Sequence, residues 1–295
     1  MNNMNQSKTT TGKGCGKFTR TIIRIISFFL LTTSCIYSQD KRPFFLQDRG
    51  QGLPTSIFGN FIQKGEFIFY PFYEYYYDQD AEYTPSEFGY SGTKDFSARY
   101  RANEALLFFA WGITDRLAVE FEMAAISATQ YKSKRDDSDM PEQIRESGLG
   151  DVEGQIRWRW SRETAKRPEI FSYYETVFPL QQDKKLIGTQ NWEFKLGQGL
   201  IKGFAWGTMI FRAAVEYDAG EKKTDLSEYA VEYLKRISDN FQLYLGVEGL
   251  QTEVDLITDL QFKLTSKMFL RINNAFGVSS KATDYAPEFG LLFRL

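Results

Sequence analysis

Charged residues recur along this chain in steps of two or four: Glu120 with Glu122, Arg157 with Arg159, Asp255 with Asp259. Singly spaced members of the same kind include Arg212, Glu216, Glu232, Glu248, Arg271 and Glu288. A carboxylate pair such as Glu120 and Glu122 is the minimum equipment for acid–base hydrolysis without histidine. Other chemistry is excluded more firmly. The chain has no histidine, which removes Ser-His and Cys-His nucleophiles and every imidazole metal site. Its two cysteines, Cys15 and Cys35, both lie near the N-terminus, so the rest of the chain offers no disulfide framework and no thiolate cluster. No cofactor and no metal are expected. Residues two apart on a strand point to the same side, so Glu120 and Glu122 are neighbours on one wall. There a lattice of Glu–Arg pairs is the simpler use for them, and an enzyme is not expected.

That spacing belongs to elements with period-two alternation. Val254, Leu256, Thr258, Leu260, Phe262 and Leu264 interleave with Glu253, Asp255, Ile257, Asp259, Gln261 and Lys263, which gives one dry face and one polar face. Leu117, Val119, Phe121 and Met123 alternate in the same way with Arg116, Ala118, Glu120 and Glu122. The pattern predicts twelve strands, over 65 to 78, 98 to 113, 116 to 128, 150 to 161, 169 to 179, 191 to 201, 204 to 218, 226 to 236, 241 to 250, 253 to 265, 267 to 279 and 285 to 295. Connections after the first, third and fifth are long and polar, as over 79 to 97 and 130 to 149. Those after the second, sixth, eighth and tenth are tight, at Thr114-Asp115, Lys202-Gly203, Ser238-Asp239-Asn240 and Ser266, with hairpin turn chemistry. Sorting of loops by parity is the habit of an outer-membrane barrel. The expected fold is all-β: a transmembrane, antiparallel, up-and-down β-barrel of about twelve strands, both ends periplasmic.

Composition agrees with that fold. Aromatics reach 16% while mean hydropathy is −0.40, as suits strands with one lipid face and one wet face. Tyr70, Phe72, Tyr73, Tyr75, Tyr76 and Tyr77, and at the other end Trp158 and Trp160, are placed to form interfacial girdles. The final strand, Phe289 to Leu295, resembles the terminal signal read by barrel-assembly machinery, a partner expected along with outer-membrane lipid.

Residues 1 to 38 read as a cleaved export signal. Lys8, Lys13, Lys17, Arg20 and Arg24 accompany the apolar run Ile22 to Leu31, which is shorter than the ~20 residues a spanning helix needs. Thr33-Ser34-Cys35 leaves open lipid attachment at Cys35 or ordinary cleavage nearby. Removing these five cations leaves 31 basic against 38 acidic residues, a net charge of −7. No basic surface for nucleic acid follows. Residues 40 to 64, with Gly50-Gln-Gly-Leu-Pro54 followed by Ile57, Phe58, Phe61 and Ile62, are expected either to plug the periplasmic end or to remain an export remnant. The barrel then covers 65 to 295.

Gly148-Leu-Gly-Asp-Val152, leading into Gly154-Gln-Ile-Arg-Trp158, resembles a motif of outer-membrane transporters of the meta-pathway phenol-degradation family. The resemblance extends to Gly112 to Leu117 and Tyr233 to Asn240, and loosely covers 65 to 295. It implies passage of small, often hydrophobic molecules, with Gly148 and Gly150 at a tight loop-to-strand entry and Asp151 at the mouth of the lumen. The candidate lumen and permeation residues are therefore Glu120, Glu122, Asp151, Arg157, Arg159, Arg212, Glu216, Glu232, Glu248, Asp255, Asp259, Arg271 and Glu288. Glu74, Glu104, Glu153, Glu193, Lys195, Lys263 and Arg294 stand beside them. Passive transport of a small-molecule solute, hydrophobic or aromatic, is the expected function. The alternative is a non-conducting barrel whose loop aromatics Tyr83, Phe88 and Tyr90 bind a partner or polysaccharide.

Overall fold

The computed structural model describes residues 42–189, 191–220, 222–250, 253–279 and 281–295. The expected export signal and Cys35 lie outside the described residues. Two short strands, β1 (Leu53–Pro54) and β2 (Phe61–Ile62), pair only with each other. Twelve more follow: β3 (Phe67–Tyr83), β4 (Phe96–Gly112), β5 (Leu117–Tyr131), β6 (Gln143–Ser161), β7 (Glu169–Phe178), β8 (Glu193–Phe204), β9 (Gly207–Asp218), β10 (Lys223–Ser238), β11 (Phe241–Leu250), β12 (Glu253–Lys263), β13 (Met268–Gly277) and β14 (Tyr285–Arg294). Each pairs antiparallel with the next and β14 pairs with β3, so the sheet closes and has no free edge. Closure satisfies every ladder internally, which is the condition for a sheet to sit in hydrocarbon.

The outer face carries the apolar half of the alternation. Leu196, Leu200, Phe211, Val215, Leu245, Val247, Leu256, Ile272 and Phe289 all stand exposed on it. An apolar surface this continuous has no place in water and is explained by lipid. Trp111, Trp158, Trp160 and Trp206 ring one end of the belt, while Trp192, Tyr217 and Tyr285 lie toward the other. Amphipathic rings favour the headgroup depth. The six aromatics at the start of β3 do not all join these girdles. Tyr73, Tyr75 and Tyr77 stack outward on Phe289 and Tyr285, whereas Tyr70 and Phe72 are buried inside and Tyr76 lines the interior.

At one end, here the turn end, the connections are brief: 113–116, 162–168, 205–206, 239–240 and 264–267. At the opposite, loop end they run over 84–95, 132–142 and 179–192, but 219–222, 251–252 and 278–284 are no longer than the turns. Loop length therefore follows parity only in the first half of the chain. Three expectations shift. The first two long loops are partly strand, because β3, β4 and β6 reach 17, 17 and 19 residues, well beyond the ~9 to 11 that cross a bilayer. The β8–β9 turn sits at Ala205-Trp206 rather than Lys202-Gly203. Gly203 instead lies in β8, paired with Thr208, and its lack of a side chain leaves room for a neighbouring segment: an added Cβ would fall 2.1 Å from the Phe45 carbonyl oxygen.

That segment is 42–66, which lies inside the turn end. Leu53 and Ile62 are fully buried in a cluster with Ile68, Phe108, Ala118 and Leu292. Phe61 packs with Phe171, Ile201, Ile210 and Leu234. The turn half of the lumen is thus apolar inward as well as outward. Each such side chain withdrawn from water contributes roughly 1.5–3 kcal/mol toward holding the segment in place.

Candidate functional site

The hairpin formed by β1 and β2 points its tip, Ser56–Gly59, at the middle of the barrel, and wall residues bond to it. The Ser56 backbone N–H and hydroxyl donate to Glu120 Oε2 at 2.9 and 2.6 Å. Arg271 and Gln261 donate to the Phe58 carbonyl at 3.0 and 3.1 Å. The Phe58 ring stacks on Tyr244 and lies beneath the Arg212 guanidinium. Nearer the turn end, Arg49 donates to Glu163 and Glu169 at 3.1 and 2.9 Å with all three side chains nearly sealed from water. Asp48 accepts from the Arg236 N–H and pairs with Lys235 at 3.4 Å. Buried charges need such partners. The segment carries some of its own charges into wall pairs, and so belongs to the barrel's interior lattice.

Beyond the tip a chamber of ≈ 690 Å³ extends toward Leu250, Glu253 and Thr283 at the loop end. Eight of the thirteen candidate residues line it: Glu120, Glu122, Arg157, Arg212, Glu216, Glu248, Asp255 and Glu288. Three more, Glu232, Asp259 and Arg271, face the segment lower down, and Arg159 sits at the turn end paired with Glu169 at 2.9 Å. Asp151 has a different place. It accepts hydrogen bonds from the Leu180 and Thr189 N–H groups and so ties both ends of the 179–192 loop. Gly148 and Gly150 are not at a strand entry, since β6 begins at Gln143; they lie within it, beside a register shift against β5. Gly148 faces Lys184 and Ile187 of that same loop.

The expected lattice of Glu–Arg pairs describes only part of the chamber. Among the described residues lining it, twelve are Asp or Glu and three are Lys or Arg. The cations gather on one side. Arg212 reaches Glu228, Glu232 and Glu248, Lys195 reaches Glu175 at 2.8 Å, and Arg157 lies 3.1 Å from Glu120. Lower down, Arg271 pairs with Asp259, which also accepts from Gln261 at 2.6 Å. The adjoining wall, from β14 round to β6, is acidic: Glu288 lies across from Glu74, Glu74 from Glu104, and Glu122 from Glu153. Like charges in direct register oppose sheet pairing.

Sequence reasoning missed several members. Glu175 and Glu228 hold the cations above, and Tyr173 donates to Glu228 at 3.1 Å. Tyr70 donates to Glu288, and Gln155 to Glu175. The even parity of 228, 230 and 232 could have found Glu228. Glu175 sits in Tyr173-Tyr174-Glu175-Thr176, where neither face is plainly apolar. The loop aromatics Tyr83, Phe88 and Tyr90 pack with Phe96 and Met140 as a small core of their own, with the Tyr83 hydroxyl donating to Asp136 at 2.8 Å.

A closed twelve-stranded barrel with a lipid-type exterior and a polar lumen is the architecture of outer-membrane proteins. The chain is similar in structure to an outer membrane channel from Pseudomonas putida F1, with a TM-score of 0.57 at 12% identity over 79% of this chain and 97% of that one. Weaker likenesses are to the translocator domain of the autotransporter NalP from Neisseria meningitidis (TM-score 0.48, 10% identity, 95% and 98% covered) and to the Ralstonia pickettii toluene transporter TbuX (TM-score 0.38, 8% identity, 79% and 90% covered). At these identities the first likeness speaks to the fold alone. No protein-family model matches the chain, and no curated protein matches it.

Proposed function

We propose that this chain is a passive outer-membrane channel for small solutes, with the loop end outside the cell and the turn end, closed by residues 42–62, facing the periplasm. The observation that carries the reading is the division of one closed lumen into two halves. A wet chamber of ≈ 690 Å³ lies on the loop side, and a docked segment fills the apolar turn side. A purely structural barrel has no use for an emptied half, and twelve strands leave room for a narrow path. The outward apolar belt and both aromatic girdles support a place in the membrane. Phe72, Tyr76, Phe108 and Tyr173 line the chamber and suit solutes with an aromatic or apolar body. Selectivity would come from pore width and lining charge, without a catalytic residue. The loop-binding alternative loses support, since the aromatics it relied on are spent on each other.

Single-channel recording of the refolded protein in a planar bilayer tests this. Discrete current steps, rare in the wild type and frequent when residues 42–62 are deleted, are expected. A heat-modifiable barrel that stays silent in both forms would overturn it.

A further inference from the structure

The acidic wall of the chamber carries more information than its charge. Glu122 and Glu153 face each other across β5 and β6, and among the described residues neither has a cation within ion-pair distance. Glu74, Glu175 and Glu288 line the same chamber. Beside this wall stand two amides that have used their donors and kept their acceptors. Gln155 is 6% exposed and gives its N–H to Glu175; Asn273 is 7% exposed and gives its N–H to Glu288 at 3.2 Å. The carbonyl oxygens of both side chains are sealed from bulk water without a donor. Because each nitrogen is bonded to a carboxylate, neither amide can flip to cure this. A buried acceptor left unpaired is costly, and the partner that each amide does hold is a carboxylate. Among the described residues Glu74, Glu122, Glu153 and Glu288 form no ion pair, so charged N–H groups of a solute would find acceptors here.

We infer that this wall binds organic ammonium ions, small solutes that carry an amine on an apolar or aromatic body; the inference rests on the reading of the chamber as a solute path. A compact divalent cation fits less well. Among the described residues, only Asp78, Asp80 and Asp284 at the loop end bring three carboxylate oxygens within 4.8 Å of one another. The carboxylates of the chamber are spread over several strands, matching a group with several N–H bonds pointing apart. The rings of Phe72 and Tyr76 in the same chamber offer faces to an ammonium or to an attached apolar body.

Calorimetric titration of the detergent-refolded full chain with 2-phenylethylamine, and with its neutral counterpart 2-phenylethanol, tests the site. The amine is expected to bind at least about tenfold more tightly. Joint Glu122→Gln and Glu153→Gln substitution removes that preference. It also relieves a like-charge pair and should leave folding intact. Should that variant fail to fold, Gln155→Leu with Asn273→Leu removes the two acceptors, together with the N–H bonds to Glu175 and Glu288, and should weaken the amine several-fold. Equal binding of amine and alcohol, or an amine affinity unchanged in the variants, overturns the proposal. So does calcium that displaces the amine more effectively than sodium at matched ionic strength. A barrel silent in bilayers that still prefers the amine would sink the channel reading and leave the site standing. A conducting barrel indifferent to the amine would do the reverse.

Discussion

Arg212 sits where three carboxylates meet, its guanidinium serving Glu228, Glu232 and Glu248 while its flat face covers the Phe58 ring. Only a planar fork can make all of these contacts at once. Arg212→Met would leave three buried acids without their shared partner, a loss of the kind that costs about 3–5 kcal/mol. The urea midpoint of the barrel in lipid vesicles should fall accordingly, and Arg212→Lys should recover only part. A midpoint within error of wild type would show that the lattice at this point carries no weight. Arg212 was legible as an inward residue because β9 alternates cleanly around it. Tyr70, Phe72 and Tyr76 were not, since a strand with rings on both faces gives period two nothing to sort. The same ambiguity hid Glu175. Arg49 and Asp48 lie in a segment with no period at all, so only their partners reveal their use.

Among the elements, strand positions could be read almost throughout because each carries its own alternation, and β11 has the predicted ends. The misplacements have local causes. β6 starts seven residues early because Ser147 and Gly148, polar and small, still continue the ladder with β5. What was not legible is the inward apolar patch that receives 42–62, since Ile210 and Leu234 lie on faces assigned to water. The tip of that segment depends on Gly59, whose φ is +66° and whose added Cβ would meet Leu234 at 2.9 Å and Gln261 at 3.0 Å. Gly59→Val should therefore undock the tip and raise the open probability several-fold in bilayer recordings; unchanged gating would mean the tip does not control the path. The loop end has its own clamp. Burial acts to raise the Asp136 carboxyl, but hydrogen bonds from Ser138 and Tyr83, with Lys132 nearby, hold it below the ordinary value of 3.8. A lowered carboxyl contributes stability that is complete above that value and is lost as pH falls through the lowered one. Pepsin should spare the 132–142 loop at pH 4 and cut it progressively below, with Tyr83→Phe cut already at pH 4. Cleavage that ignores pH over this window would rule the clamp out.

Across the whole molecule the lumen is electrically lopsided. The chamber holds twelve acids to three bases among its described residues, whereas the two cavities flanking segment 42–66 at the turn end hold, together, eight bases to five acids. Removing the segment's own Arg42, Asp48, Arg49 and Lys64 leaves five to four, so the wall itself keeps the sign by one charge. A narrow path with an acidic half in series with a basic half passes current unequally in its two directions. With the loop side positive, cations enter the acidic half and anions the basic half, and both accumulate where the halves join. With the loop side negative, both are withdrawn from that junction and it empties. The Gly59→Val channel, inserted in one orientation, should therefore carry the larger current with the loop side positive at ~0.1 M KCl, where fields reach ~10 Å. In ~1 M KCl the reach shrinks to ~3 Å and the two branches should become nearly equal. A symmetric current at low salt would mean that the segment leaves by a route that bypasses the chamber, while asymmetry that persists at high salt would point to a moving part rather than to fixed charge.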